Sequence, residues 1–182
     1  MEAADRPAVG DMTAVIAIQQ LCHRYALAVD SRDIEGIGRL FIPEVRVGRN
    51  MTGRAALRQS FSAMLATCGA TIHFIGNHTV DFIDDTHATG VVYCHEEVQP
   101  LGGTSWQVGM LQYWDDYEAR DGAWLFVRRR VHRWYRQFPS QTATAQIVPG
   151  AADSTERSLP ESFPTWQRFH GEVREPDHHE NV

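Results

Sequence analysis

The chain predicts an α+β fold, with three N-terminal helices packed on one face of a curved, mainly antiparallel sheet. Apolar residues recur at helical spacing up to about Leu65, and from Ala70 onward the period changes to two. The two-period segments are joined by short polar or glycine-bearing connections, Asp84-Asp85, Gly102-Gly103 and Asp121-Gly122, which suit antiparallel neighbours. Helices followed by a meander have one economical packing, helices on one side of the sheet.

Asp11 is placed to cap a helix to about Val29, whose inward face is Ile18, Leu21, Cys22, Tyr25 and Val29. A shorter helix follows Asp33, with Ile34, Ile37, Leu40 and Phe41 inward, ending near Ile42 before Pro43. Glu44 to Val47 reads as a short strand. After the turn at 50–53, a third helix puts Leu57, Phe61, Met64 and Leu65 on one side, with Gly69 as its stop. Four strands are expected at 71–82, 87–99, 107–118 and 124–135. Residues 1–10 read as a flexible N-terminus and 11–138 as the folded domain. Residues 139–182 read as a Pro- and Ser-rich tail whose Phe163, Trp166 and Phe169 let part of it lie on the domain or on a neighbouring subunit.

Composition narrows the function. The 182 residues suffice for one well-buried core and are too few for two ordinary domains. All 17 basic residues are arginine, which excludes Schiff-base chemistry and a lysine-anchored pyridoxal cofactor. A net charge of −6 argues against nucleic acid as a partner. No apolar run approaches the roughly 20 residues that span a bilayer, and residues 1–10 lack the apolar stretch of a secretory signal, so no membrane partner and a cytoplasmic location are expected. Three cysteines without regular spacing read as reduced packing residues.

No metal site is expected either. The nine histidines include no HExxH spacing, and strict alternation points His73 and His78 to opposite faces of their strand. His87 falls in a turn, and His178-His179 read as exposed tail residues. Gly36 and Gly38 lie within a helix and lack the rest of a phosphate-loop pattern.

Alternation places His73, Ile75 and Asn77 on one strand face. In a largely apolar pocket a neutral His73 could accept a proton, although a lone strand histidine is also commonly a hydrogen-bonded core residue. Asp30 closes the first helix just past its apolar face, where an unpaired carboxylate would be costly, and a His73–Asp30 pair would satisfy both groups.

The stretches "IQQLCHRYALAVDSRDIEGIGRLF", "TIHFIGNHTV" and "RDGAWLFVRR" resemble the SnoaL-like branch of the nuclear transport factor 2-like superfamily over about residues 12–135. Within it they are similar to scytalone dehydratase, bile acid 7α-dehydratase and hexachlorocyclohexane dehydrochlorinase. The resemblance implies a cone-shaped α+β barrel, a catalytic dyad of Asp30 in "AVDSRD" and His73 in "TIHFIG", and supporting roles for Tyr25 and Arg129. It also makes His95 a looser match to a second histidine; Asn77, Tyr93 and Phe61 are the other candidates to touch substrate. The implied chemistry is cofactor-independent: His73 removes an acidic C–H proton, and Tyr25, His95 or Arg129 stabilises the departing or developing oxygen. Elimination or isomerisation of a hydrophobic cyclic or polyketide-derived molecule results.

Other readings are a SnoaL-type polyketide cyclase and a non-catalytic binding or assembly subunit. Tyr25 could equally be a packed core aromatic. Trp106, Trp114, Trp134 and Tyr135 supply surplus aromatic surface, from which a homo-oligomer is expected, and the resemblance favours a trimer over a dimer.

Overall fold

The computed structural model describes residues 12–138 and 163–173. Helix α1 (Met12–Asp30) buries Ile18, Leu21, Cys22, Tyr25, Ala26, Ala28 and Val29 along one face. Asp11, the expected cap, and residues 1–10 lie outside the described residues. Helix α2 (Ile34–Arg39) begins at Asp33, whose carboxylate accepts from the Gly36 amide at 2.7 Å and satisfies one free donor of the first turn. It stops sooner than its apolar residues suggest, because Phe41 leaves helical geometry to bridge Phe126 in the sheet. A two-residue pair, β1 (Arg46–Val47) and β2 (Met51–Thr52), leads into α3 (Arg54–Leu65). Gly69 does not end α3; the helix closes at Ala66, and Gly69 already belongs to the next strand.

Strands β3 (Cys68–Phe82), β4 (His87–Pro100), β5 (Gln107–Arg120) and β6 (Ala123–Gln137) form an antiparallel meander in sequential order. The last hairpin turns at Asp121-Gly122, both with positive φ (51° and 78°), the conformation a two-residue Asp-Gly connection supplies. The sheet remains open, and the helices cover its concave face to complete a cone-shaped α+β fold. Phe126, Tyr117, Leu111, Val92 and Cys94 from the sheet meet Ile18, Cys22, Tyr25 and Ile37 from the helices in one core.

Register departs from strict alternation at two places that matter. Ile75 pairs with Cys94 and His78 with Val92, so Gly76 and Asn77 together oppose Tyr93 as a β-bulge. The extra residue reverses the parity. His78 therefore shares the inner face with His73, against the expected opposition, and Asn77 is exposed rather than beside His73. On β6 a second extra residue, Trp134, lets both Arg133 and Arg136 return to the inner face.

Helix α4 (Pro164–Val173) folds back onto the domain. Phe169 joins the main core, Trp166 is buried, and the Thr165 hydroxyl donates to the Ser31 carbonyl at 2.7 Å. Among the described residues no helix is long and apolar enough to cross a membrane.

Candidate active site

Asp30 ends α1 facing β3, and its carboxylate is held from three directions. His73 donates its backbone N–H to Oδ2 at 2.8 Å, the Thr71 hydroxyl donates to Oδ1 at 2.9 Å, and His73 Nδ1 lies 2.7 Å from Oδ1. A carboxylate can only accept, so Nδ1 carries the proton, and Nε2 is the ring's acceptor in the neutral imidazole. The His73 side chain is 9% exposed and that of Asp30 20%.

Behind the pair stands Arg32, which the sequence did not single out. It is 2% exposed and has φ of 60°, a left-handed conformation that a non-glycine residue keeps only when its surroundings hold it. Its Nη1 donates to the Val29 carbonyl and to the Thr71 hydroxyl, both at 2.7 Å, and Nη2 donates to the Gly69 carbonyl. The Trp166 ring stacks on it, 4.5 Å from guanidinium carbon to centroid. Burial lowers its pKa to about 10, opposed by Cys68 and Asp30, so it stays charged at neutral pH.

Two hollows between α3 and the sheet meet at Tyr25, Met64 and Val131. One, about 620 Å³, is lined by His73, Thr71, Glu96, Tyr113, Arg133 and Arg136 among others. The other, about 880 Å³, is lined by Phe41, Leu57, Phe61 and Arg129 with the β1–β2 segment. Together they form a cleft with His73 in its wall and Phe61 at its far side. Tyr25, at the junction, is packed edge-on against Phe41, Phe61, Tyr113 and Phe126, and burial pushes its pKa up to about 12. It is a neutral phenol at physiological pH.

Arg129 belongs to a second buried polar cluster. It donates to Asp115 through Nε (2.9 Å) and Nη2 (2.7 Å), and its guanidinium lies 4.1–4.3 Å from the rings of Tyr113, Phe126 and Tyr25. Burial disfavours its charge, but Asp115 outweighs this and raises its pKa well above the ordinary value. Tyr117 donates to Asp115 at 2.9 Å, His78 Nε2 lies 3.1 Å from the Tyr117 hydroxyl, and Cys22 receives Arg129 Nη2 at 3.2 Å. Burial lowers His78 to about 4, so its imidazole is neutral. Arg129 is thus tied to a structural partner; its Nη1 alone is buried without one.

His95 and Tyr93 do not reach the cleft. His73 pairs with Glu96, so the inner face of β4 is Ala88, Val92, Cys94 and Glu96, while His95 pairs with Phe74 on the outer face. Strand alternation places Tyr93 with His95. Glu96, 5% exposed, is the β4 residue that pairs with His73 on the inner face. Among the described residues no group of His, Cys, Asp or Glu is arranged to hold a metal ion.

The model of the SnoaL-like domain matches residues 11–130. The chain belongs to the SnoaL-like domain family. Uncharacterized proteins of Mycobacterium tuberculosis and Mycobacterium bovis are 26% identical to it over 128 residues, covering 66% of this chain and 86% of theirs. Among solved structures, a scytalone dehydratase-like protein from Novosphingobium aromaticivorans superposes with a TM-score of 0.62 at 22% identity, over 69% of this chain and 87% of that one. A hexachlorocyclohexane dehydrochlorinase from Novosphingobium barchaimii gives 0.63 at 19% identity, over 71% and 92%. At such identities the likeness is one of fold.

Proposed function

We propose that this SnoaL-like protein is a cofactor-independent lyase or isomerase in which His73 is the general base and Asp30 its orienting partner. The 2.7 Å contact between His73 Nδ1 and Asp30, in the wall of the cleft, carries the reading. Asp30 fixes the tautomer with the lone pair on Nε2 and stabilises the imidazolium that forms when a C–H proton is taken. Val29, Leu65 and Leu111 give the cleft an apolar wall that suits a hydrophobic cyclic molecule. Tyr25, neutral and at the junction of the two hollows, donates to the oxygen that gains charge or departs. Arg129 supports that phenol from behind by stacking on its ring, and its ion pair with Asp115 holds it there.

The test is proton abstraction itself. Cyclic ketones and β-hydroxy ketones incubated with the protein in deuterium oxide should exchange their acidic C–H, followed by proton NMR. Wild-type protein that exchanges none of the panel faster than buffer, or a folded His73→Ala variant that exchanges equally fast, would refute the dyad.

A homo-oligomer, a trimer by family likeness, is also proposed through the outer sheet face, where Phe74, Trp114 and Tyr135 are exposed with Trp134 nearby; Trp106 is half-buried. Light scattering that returned a monomer at micromolar concentration would remove this reading.

A further inference from the structure

The part of the cleft that contains His73 has an uneven charge. Its charged lining residues are one carboxylate, Glu96, and two guanidiniums, Arg133 and Arg136. Counting these three side chains, one positive charge is left over. Arg133 reaches Glu96 through Nε (3.2 Å) and Nη2 (3.3 Å), and Arg136 through Nη2 (3.1 Å). Their remaining N–H groups have no partner among the described residues, and both side chains are about two-fifths exposed (41% and 43%) while that of Glu96 is 7% exposed.

The backbone is arranged to permit this. His73, Glu96, Gly109 and Arg136 form one row across the four strands. At Gly109 a Cβ would stand 3.1 Å from Glu96 Oε1 and 3.2 Å from its Cγ, so the glycine clears the path by which Glu96 extends toward β6. A single bidentate arginine would already neutralise Glu96. The bulge at Trp134 turns a second one inward as well.

We propose that the substrate carries a carboxylate, seated on the free edges of Arg133 and Arg136, while its acidic C–H faces His73. Glu96 serves as the anchor that holds both guanidiniums in place. An arginine presents paired donors matched to a carboxylate. Arg133 and Arg136 stand on β6, three strands from His73 on β3, and reach back over Gly109 toward Glu96 on β4, so the imidazole and the guanidiniums are separated by roughly two strand spacings, about 10 Å. A six-membered ring with a carboxylate on it, or one or two bonds removed, spans that gap. The apolar wall from Val29, Leu65 and Leu111 would hold the ring. The proposal rests on the proposed role of His73 for its orientation, but the anion seat can be tested without turnover.

The experiment is an NMR titration of the full chain with benzoate, cinnamate and cyclohex-1-ene-1-carboxylate, each against its primary amide. The acids should bind at least tenfold more tightly than the amides. Arg136→Gln, which leaves Arg133 on Glu96 and so preserves the buried pair, should erase most of that preference while amide binding is unchanged. His73→Ala should keep it. Equal binding of acid and amide, or a preference that survives both Arg136→Gln and the Arg133→Gln, Arg136→Gln double variant with folding verified by circular dichroism, overturns the proposal. Carboxylate preference without deuterium exchange would sink the His73 mechanism and leave the anion seat standing; exchange without the preference would do the reverse.

Discussion

Arg32 lies beneath the indole of Trp166, its guanidinium carbon 4.5 Å from the ring centroid, so a residue far along the chain covers the group that steadies Asp30. From Trp166 the sequence of contacts runs through Arg32 to the Thr71 hydroxyl, and from there to the Asp30 carboxylate.

Trp166→Ala should therefore lower stability by about 3–5 kcal/mol, in the range for truncating a buried aromatic, and urea denaturation measures it. Arg32→Gly separates two effects. It relieves a positive φ worth roughly 1–2 kcal/mol but removes three hydrogen bonds in a buried site, which cost about 1–3 kcal/mol each to leave unmade, so the variant should be less stable. A midpoint at or above wild type would mean that backbone strain dominates there.

The dyad members should fail in different ways. His73→Ala removes the proposed base and should slow proton exchange by roughly 10²–10⁴-fold. Asp30→Asn keeps the shape, but its amide N–H₂ cannot accept where the carboxylate oxygen does, so the imidazole loses its fixed tautomer and a loss of similar order is expected. If Asp30→Asn abolishes exchange and His73→Ala barely slows it, Asp30 is the direct base.

For the second cluster the expectation concerns folding. Asp115 and Arg129 are almost wholly buried, with side chains 0% and 4% exposed. Asp115→Ala would strand the Arg129 charge among three aromatic rings, at a cost of about 3–5 kcal/mol. Replacing both together, Asp115→Leu with Arg129→Met, should recover most of the loss in a thermal melt, and a double variant no more stable than Asp115→Ala would contradict this account.

His78 makes stability depend on pH. Its folded pKa of about 4 lies below the ordinary 6.5, so the folded state prefers the neutral ring and the unfolded chain takes up the proton first. Its stabilising contribution is full above about pH 6.5 and declines as the pH falls toward 4. The His78→Asn variant should lose part of the wild-type drop in melting temperature across that window; parallel curves would assign the drop to other groups.

Much of this was legible in the residues. The change of period near residue 70 located the helices and the meander, and Asp30 and His73 stood out as polar groups beside apolar faces. Strand parity was harder. The pattern Ala88, Val92, Cys94 marks the inner face of β4 by its small and apolar side chains, and the same parity leads to Glu96 rather than His95. Similarly, Leu111, Tyr113 and Tyr117 point to Asp115 as an inner carboxylate in need of Arg129. The bulges at Gly76-Asn77 and Trp134 arise from three-dimensional pairing, and no local pattern announced them. Nor does "DSRD" reveal that its arginine adopts a left-handed backbone, since the strain is balanced by groups on β3 and α4.

The additional residue in β3 also governs assembly of the sheet. Slide β3 by one position along β4 and His73 would trade faces with Phe74, while the two-against-one match at Tyr93 would be lost. The irregularity thus behaves as a latch on strand alignment. A slipped sheet would forfeit both its apolar inner face and the pairing of His73 with Asp30, so chains that fold into the wrong alignment should be catalytically silent as well as poorly packed.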